Sequence, residues 1–240
     1  MDNPSSVALS GELSRMRQME VLANNIANLS TVGFKGEQVM FAEVLAASPS
    51  GAPISYVQDR GTVRDWSQGP LTKTDNPLDV ALQGAGFLEV ETGAGIRYTR
   101  DGRLKLDANG QLVTLDGEPV LGEGDRPIAV PPGTASITIG PDGTIGGRNG
   151  TIGRIAIVNF SQPQDLVAES SGCYATTDAP VAAPPATRLM QGMVEEANVK
   201  PVLELTRLMA AARAVEAHKT FQDGEADRRK DAIERLAKVV

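Results

Sequence analysis

The 240-residue chain has one cysteine, one histidine and one tryptophan, and aromatic residues make up only 4% of it. A lone Cys173 excludes an intramolecular disulfide, a CxxC redox pair and a cysteine-based zinc site. A lone His218, on the polar side of a helical segment and far in sequence from any turn-rich stretch, leaves little for a Ser-His-Asp or Cys-His scheme. Scarce aromatics disfavour stacking platforms for single-stranded nucleic acid. No apolar run approaches the roughly 20 residues of a membrane helix, so membrane insertion is not expected. The first residues, MDNPSSVALSGELSRM, lack a basic stretch followed by an apolar one, so no cleaved signal peptide is expected.

Basic clusters are missing too. The net charge is −7, and all of it lies in the middle of the chain: residues 1–36 hold three acids and three bases, and residues 195–240 hold nine of each. An acidic centre with neutral ends argues against a phosphate backbone or an anionic membrane as partner. Neutral ends can pack together without repulsion. At 41% hydrophobic and 22% charged, the chain can bury a core.

What is present is periodicity at the ends and punctuation in the middle. Leu9, Leu13, Met16, Met19, Leu22, Ala23, Ile26 and Leu29 recur at spacings of three and four, which predicts an amphipathic helix ending near Asn28 to Ser30. Val39, Phe41, Val44 and Leu45 suggest a short helix over 37–46, broken at Ser48-Pro-Ser-Gly-Ala-Pro53, with extended pieces from Ile54 to Leu71. From Pro77 to about Ile157 a turn signal recurs every several residues, among them Asp101-Gly102, Asn109-Gly110, Asp116-Gly117 and Asp142-Gly143. Short alternating runs lie between them, as hairpins require. Ala175 to Pro185 reads as a return linker. A second helix is predicted from Val199-Lys-Pro-Val202, with Val202, Leu205, Leu208, Met209, Ala212 and Val215 in register; Asp223-Gly224 leaves open whether it is one helix or two.

The expected fold class is therefore α+β: N- and C-terminal helices around a central all-β domain of hairpins. The expected segmentation is 1–36 with 190–240 as a coiled-coil-like helical domain, 37–75 as a linker or extended region, and 76–189 as the β-rich domain with its return linker. Small motifs add no chemistry. Gly84-Ala-Gly86 lacks the third glycine and the following helix of a dinucleotide loop, and Asp107-Ala-Asn109-Gly110 lacks most ligands of a calcium loop. The sequons at Asn28 and Asn149 are short patterns with no assigned role. No cofactor, metal, small-molecule substrate or catalytic residue is expected. The apolar stripes could cap the β-domain in cis or pack against other copies of the chain.

One motif weighs on that choice. Ala23-Asn-Asn-Ile-Ala-Asn28, followed by Thr31, Gly33, Phe34 and Lys35, resembles the N-terminal signature of the bacterial flagellar rod and hook proteins. The likeness continues through Asn76-Pro-Leu-Asp-Val-Ala, Tyr98-Thr-Arg-Asp-Gly102, Gly117-x-Pro119-Val-Leu-Gly122, Asn198-Val199 and Ala212-Arg-Ala214. The opening residues and Asp227-Arg-Arg-Lys-Asp-Ala-Ile-Glu-Arg-Leu are most similar to the proximal-rod branch, rather than to the distal-rod or longer hook members. The runner-up within the family is a distal-rod member, and outside it an extracellular β-rich binding module.

The resemblance implies a non-enzymatic axial subunit of the periplasm-spanning rod, exported without a cleaved signal through the type III apparatus. Its implied partners are copies of itself and the other proximal and distal rod proteins. Leu9, Leu13, Met16, Leu22 and Ile26 from the first helix, with Leu205, Met209, Ala212 and Val215 from the last, are then expected at the assembly interface. Asn24, Asn25 and Asn28 are expected to bond across helices or cap ends, since buried amides need partners. Gly33 and Phe34 would form the exit bend.

Overall fold

A computed structural model describes residues 3–46, 54–134, 136–148 and 150–237. The expected break at 48–53 and the sequon residue Asn149 lie outside the described residues. By their contacts the residues fall into two units: 1–27, 37–63 and 200–240 form one, and 28–36 with 64–199 form the other. The second unit carries nearly all the negative charge, with seventeen acidic against eleven basic residues.

The first unit is built from α1 (Asn3–Ala27), β1 (Glu37–Ala46), β2 (Ile54–Arg64, whose last residue belongs to the second unit) and α2 (Pro201–Ala237). Proline in the first turn and the run Ala210-Ala-Ala-Arg-Ala214 favour α2, which continues through Asp223-Gly224 as a single helix. The two helices run antiparallel: Asn25 meets Glu204 near one end of the pair and Glu12 meets Gln222 further along. α1 stops at Ala27, one residue before the expected range.

The helix expected over 37–46 is instead a strand, paired with β2 in a two-stranded ribbon. The spacing of Val39, Phe41, Val44 and Leu45 fits helix and strand alike, and two local factors decide for the strand. Valine and phenylalanine suit extended backbone. The Asn25 side chain also takes up the backbone of Glu37 as a neighbouring strand would: its Nδ2 donates to the Glu37 carbonyl at 2.8 Å, and the Glu37 N–H donates to its Oδ1 at 2.9 Å.

The β-rich unit has a six-stranded sheet at its centre, with β5 (Phe87–Thr92) and β6 (Gly95–Thr99) in its middle. Before them in the chain, β3 (Leu71–Lys73) pairs with residues 193–195 and β4 (Val80–Gln83) with residues 188–191, so the end of the unit closes on its beginning. Successive side chains of β5 serve two clusters, because a strand alternates faces. Leu88 and Val90 join an aliphatic core with Val80, Leu104, Leu112 and Ile155. Phe87 joins an aromatic cluster with Tyr98, Phe160 and Tyr174, capped by Trp66 at 5.3 Å from Phe87 and 5.1 Å from Tyr174 between ring centres. Asn109-Gly110 and Asp142-Gly143 turn their hairpins as expected, with both glycines at positive φ.

Glu89, on the aromatic face of β5 opposite Tyr98, is buried. Burial, and then the charge of Asp125, raise its pKa above the ordinary carboxylate range. The folded chain thus holds this proton more tightly than the unfolded one does. Its contribution to stability is complete below the unfolded value of about 4.3 and is lost as pH rises through the higher folded value. Glu89→Gln is expected to be more stable than the parent at neutral pH, with the difference shrinking as pH falls toward 4; urea titrations at several pH values measure this.

Candidate assembly surface and its buried anchor

The motif Thr31-Val-Gly-Phe-Lys35 is seated inside the β-rich unit. The chain turns after α1 by a bond from the Thr31 N–H to the Asn28 carbonyl, supported by the Thr31 hydroxyl on Asn28 Oδ1. Gly33 then sits at φ +73°, and its N–H donates to the Glu195 carbonyl at 2.7 Å. A Cβ there would lie 2.6 Å from the Arg100 carbonyl carbon, so the position demands glycine on both conformational and steric grounds.

Two residues further on, the Lys35 side chain is fully buried. Its ammonium donates to Glu195 Oε1 at 2.6 Å and to the Ser67 carbonyl at 2.7 Å. Glu195 also accepts from the Gly69 N–H at 2.8 Å, and its other oxygen accepts from Arg100 Nη1 at 2.8 Å. Arg100 in turn donates to the Gly84 carbonyl at 2.7 Å and stands 5.5 Å from the Phe87 ring centre. One carboxylate thus serves two buried cations. Burial first, and then the charge of Arg100, lower the Lys35 pKa, against the pull of Glu195.

Asn198 completes the anchor. Its Oδ1 accepts from the Gly36 N–H at 2.8 Å, while its Nδ2 donates to the Asp65 carbonyl at 2.7 Å and the Ser67 carbonyl at 3.1 Å. Three stretches, 33–36, 65–69 and 195–198, are thereby held together.

In the helical unit the expected interface residues divide into two groups. Leu22 and Asn25 are buried within their own unit, where Asn25 also donates to Glu204 Oε2 at 3.3 Å. Ile26, Ala212 and Val215 are half-buried and Asn24 is exposed. Leu9, Leu13 and Met16 on α1, with Leu205 and Met209 on α2, are exposed, and so are Val202, Phe221 and Ile233. Among the described residues of the 37-residue α2, only Glu204 and Ala211 are buried. Of the other named positions, Gly33 is buried, and Asn28 and Phe34 are half-buried, in the β-rich unit.

Arg100 and Glu195 were not among the expected site residues. Lys35 appeared only as part of a motif.

Chemical groups are scarce. No cluster of three or more His, Cys, Asp or Glu suited to a metal occurs among the described residues. The Cys173 thiol is buried, and burial together with Glu118 pushes its pKa up to about 12, so it stays protonated at neutral pH. No helix among the described residues is long and apolar enough to cross a membrane.

The β-rich unit has a packed core, while the helical unit leaves several large apolar side chains of α1 and α2 exposed. Three family models match the chain: "Flagella basal body rod protein" over residues 7–35, "Flagellar hook protein FlgE/F/G D1 domain" over 81–147, and "Flagellar basal body rod FlgEFG protein C-terminal" over 190–219. The flagellar basal-body rod protein FlgF of Caulobacter vibrioides is 37% identical, with all of both chains aligned. FlgF of Mesorhizobium japonicum is 35% identical over 90% of each chain. The flagellar basal-body rod protein FlgG of Buchnera aphidicola is 36% identical over 82% of this chain and 86% of its own. The chain belongs to the flagellar basal-body rod family, and its end-to-end likeness is to the F-type members.

Proposed function

We propose that the chain is a structural, non-enzymatic subunit of the flagellar rod, in the F-type proximal position. The observation that carries this reading is the exposed row Leu9, Leu13, Met16 on α1 together with Leu205 and Met209 on α2. Large apolar side chains left in water on a near-neutral helical unit find their cover in neighbouring subunits, and each contributes about 1.5–3 kcal/mol when fully buried. The helical ends act as the assembly domain, in contact with copies of the chain and with the other proximal and distal rod proteins. Export proceeds through the type III apparatus without signal cleavage, and the working location is the periplasm-spanning shaft. Immunodetection in purified hook–basal bodies, combined with deletion of the coding sequence, tests this. The reading expects the chain in the rod fraction and a non-motile deletion strain; a motile strain with a complete rod overturns it.

A further inference from the structure

The chain passes between the helical and the β-rich unit four times, at 27/28, 36/37, 63/64 and 199/200. Each passage adjoins the buried anchor: Gly33 follows the first, Gly36 precedes the second, Asp65 follows the third and Asn198 precedes the fourth. The last three are bonded to one another. The Asp65 N–H donates to the Gly36 carbonyl at 2.8 Å, Asn198 Nδ2 to the Asp65 carbonyl at 2.7 Å, and the Gly36 N–H to Asn198 Oδ1 at 2.8 Å. The aliphatic core, from Leu78 to Leu189, and the aromatic cluster, from Trp66 to Tyr174, both lie in the chain between residues 36 and 195.

The sense of the pairing decides how the anchor meets a pull. The Gly33 N–H donates to the Glu195 carbonyl at 2.7 Å, and the Asn198 N–H to the Phe34 carbonyl at a longer 3.4 Å, so the first and last stretches of the unit advance side by side in the same direction. A pull toward α1 on one stretch and toward α2 on the other slides such a parallel pair lengthwise. Its bonds are strained together, along with the buried bond from Lys35 to Glu195, and not one after another as in a pair that unzips. Glu195 is fixed from behind as well, by the Gly69 N–H and Arg100.

We infer that the anchor is a mechanical clamp, passing tension between α1 and α2 directly from residues 33–36 to residues 195–198 and sparing the β-rich core. For the origin of the tension this rests on the rod-subunit reading, since a chain whose helices are gripped by neighbouring subunits is pulled through both ends of its β-rich unit. The resistance itself belongs to the single chain.

A full-length chain tethered at its two termini and held at constant force measures it. The helical unit is expected to open first and the clamp last, in one step of about 500 Å, the extended length of the stretch from 36 to 195. Glu195→Gln is expected to shorten the wait for that step about a hundredfold, and Asn198→Ala about tenfold. Asn198 is only half-buried, so its variant carries the comparison if Glu195→Gln does not fold. Leu88→Ala opens a cavity in the aliphatic core and is expected to lower the melting point about as much as Glu195→Gln. Its waiting time should nevertheless stay within about threefold of the parent's, because the core is still intact when the clamp breaks. Equal shortening by the core and anchor variants, or none by the anchor variants, overturns the clamp. Incorporation into basal bodies, measured with Leu13→Glu and Met209→Glu, decides the rod-subunit reading separately.

Discussion

Glutamine in place of Glu195 is expected to lower the stability of the β-rich unit by about 3–5 kcal/mol, the usual loss when one partner of a buried ion cluster is removed. The substitution is nearly isosteric, so packing changes little. What changes is charge: Lys35 and Arg100 remain buried with no anion between them. The amide keeps one acceptor oxygen where the carboxylate used two, with bonds to Lys35, Gly69 and Arg100. For a unit of this size the midpoint of thermal unfolding is expected to fall by on the order of 10 °C. Trp66, the one tryptophan, packs on Phe87 and Tyr174 in the same unit, so its fluorescence follows this unit alone. Lys35→Met should be milder, about 1–3 kcal/mol, because it leaves Arg100 and Glu195 balanced and orphans chiefly the Ser67 carbonyl. A Glu195→Gln chain that melts with the parent would show that the cluster does not hold the unit together.

The second large effect is on association. Leu13→Glu combined with Met209→Glu is expected to exclude the chain from the rod while leaving each unit folded. Both positions are more than half exposed, at 57% and 54%, so neither substitution removes a core contact. If neighbours cover both side chains, about 3–6 kcal/mol of interface stabilisation is lost, roughly a hundredfold or more in association. Swimming radius and chain abundance in isolated basal bodies measure the loss, while the Trp66 melt should match the parent. Normal incorporation of the double variant would mean that this helix face is not an interface.

Much of the fold was legible because it is written in local signals. The three- and four-residue spacing from Leu9 to Ile26 marked α1, proline 201 marked the start of α2, and Asn109-Gly110 and Asp142-Gly143 marked hairpins. β1 was misread because Val39, Phe41, Val44 and Leu45 fit either period, and because the deciding contact is a side chain twelve residues away, Asn25 on the Glu37 backbone. The buried anchor was illegible for a different reason. Lys, Arg and Glu read as surface residues, and nothing local links position 35 to positions 100 and 195. Asn25 shows the same limit from the other direction: its motif was plain, but its partners in the chain's own helical unit were not.

The anchor also sets a clock. Lys35 and Glu195 are 160 positions apart, so at synthesis rates of about 5–20 residues per second the cation waits on the order of 10 seconds for its counter-ion to be made. Until then the emerging polypeptide has its lysine ready and nothing to close upon, and closure over so long a stretch is slow in any case.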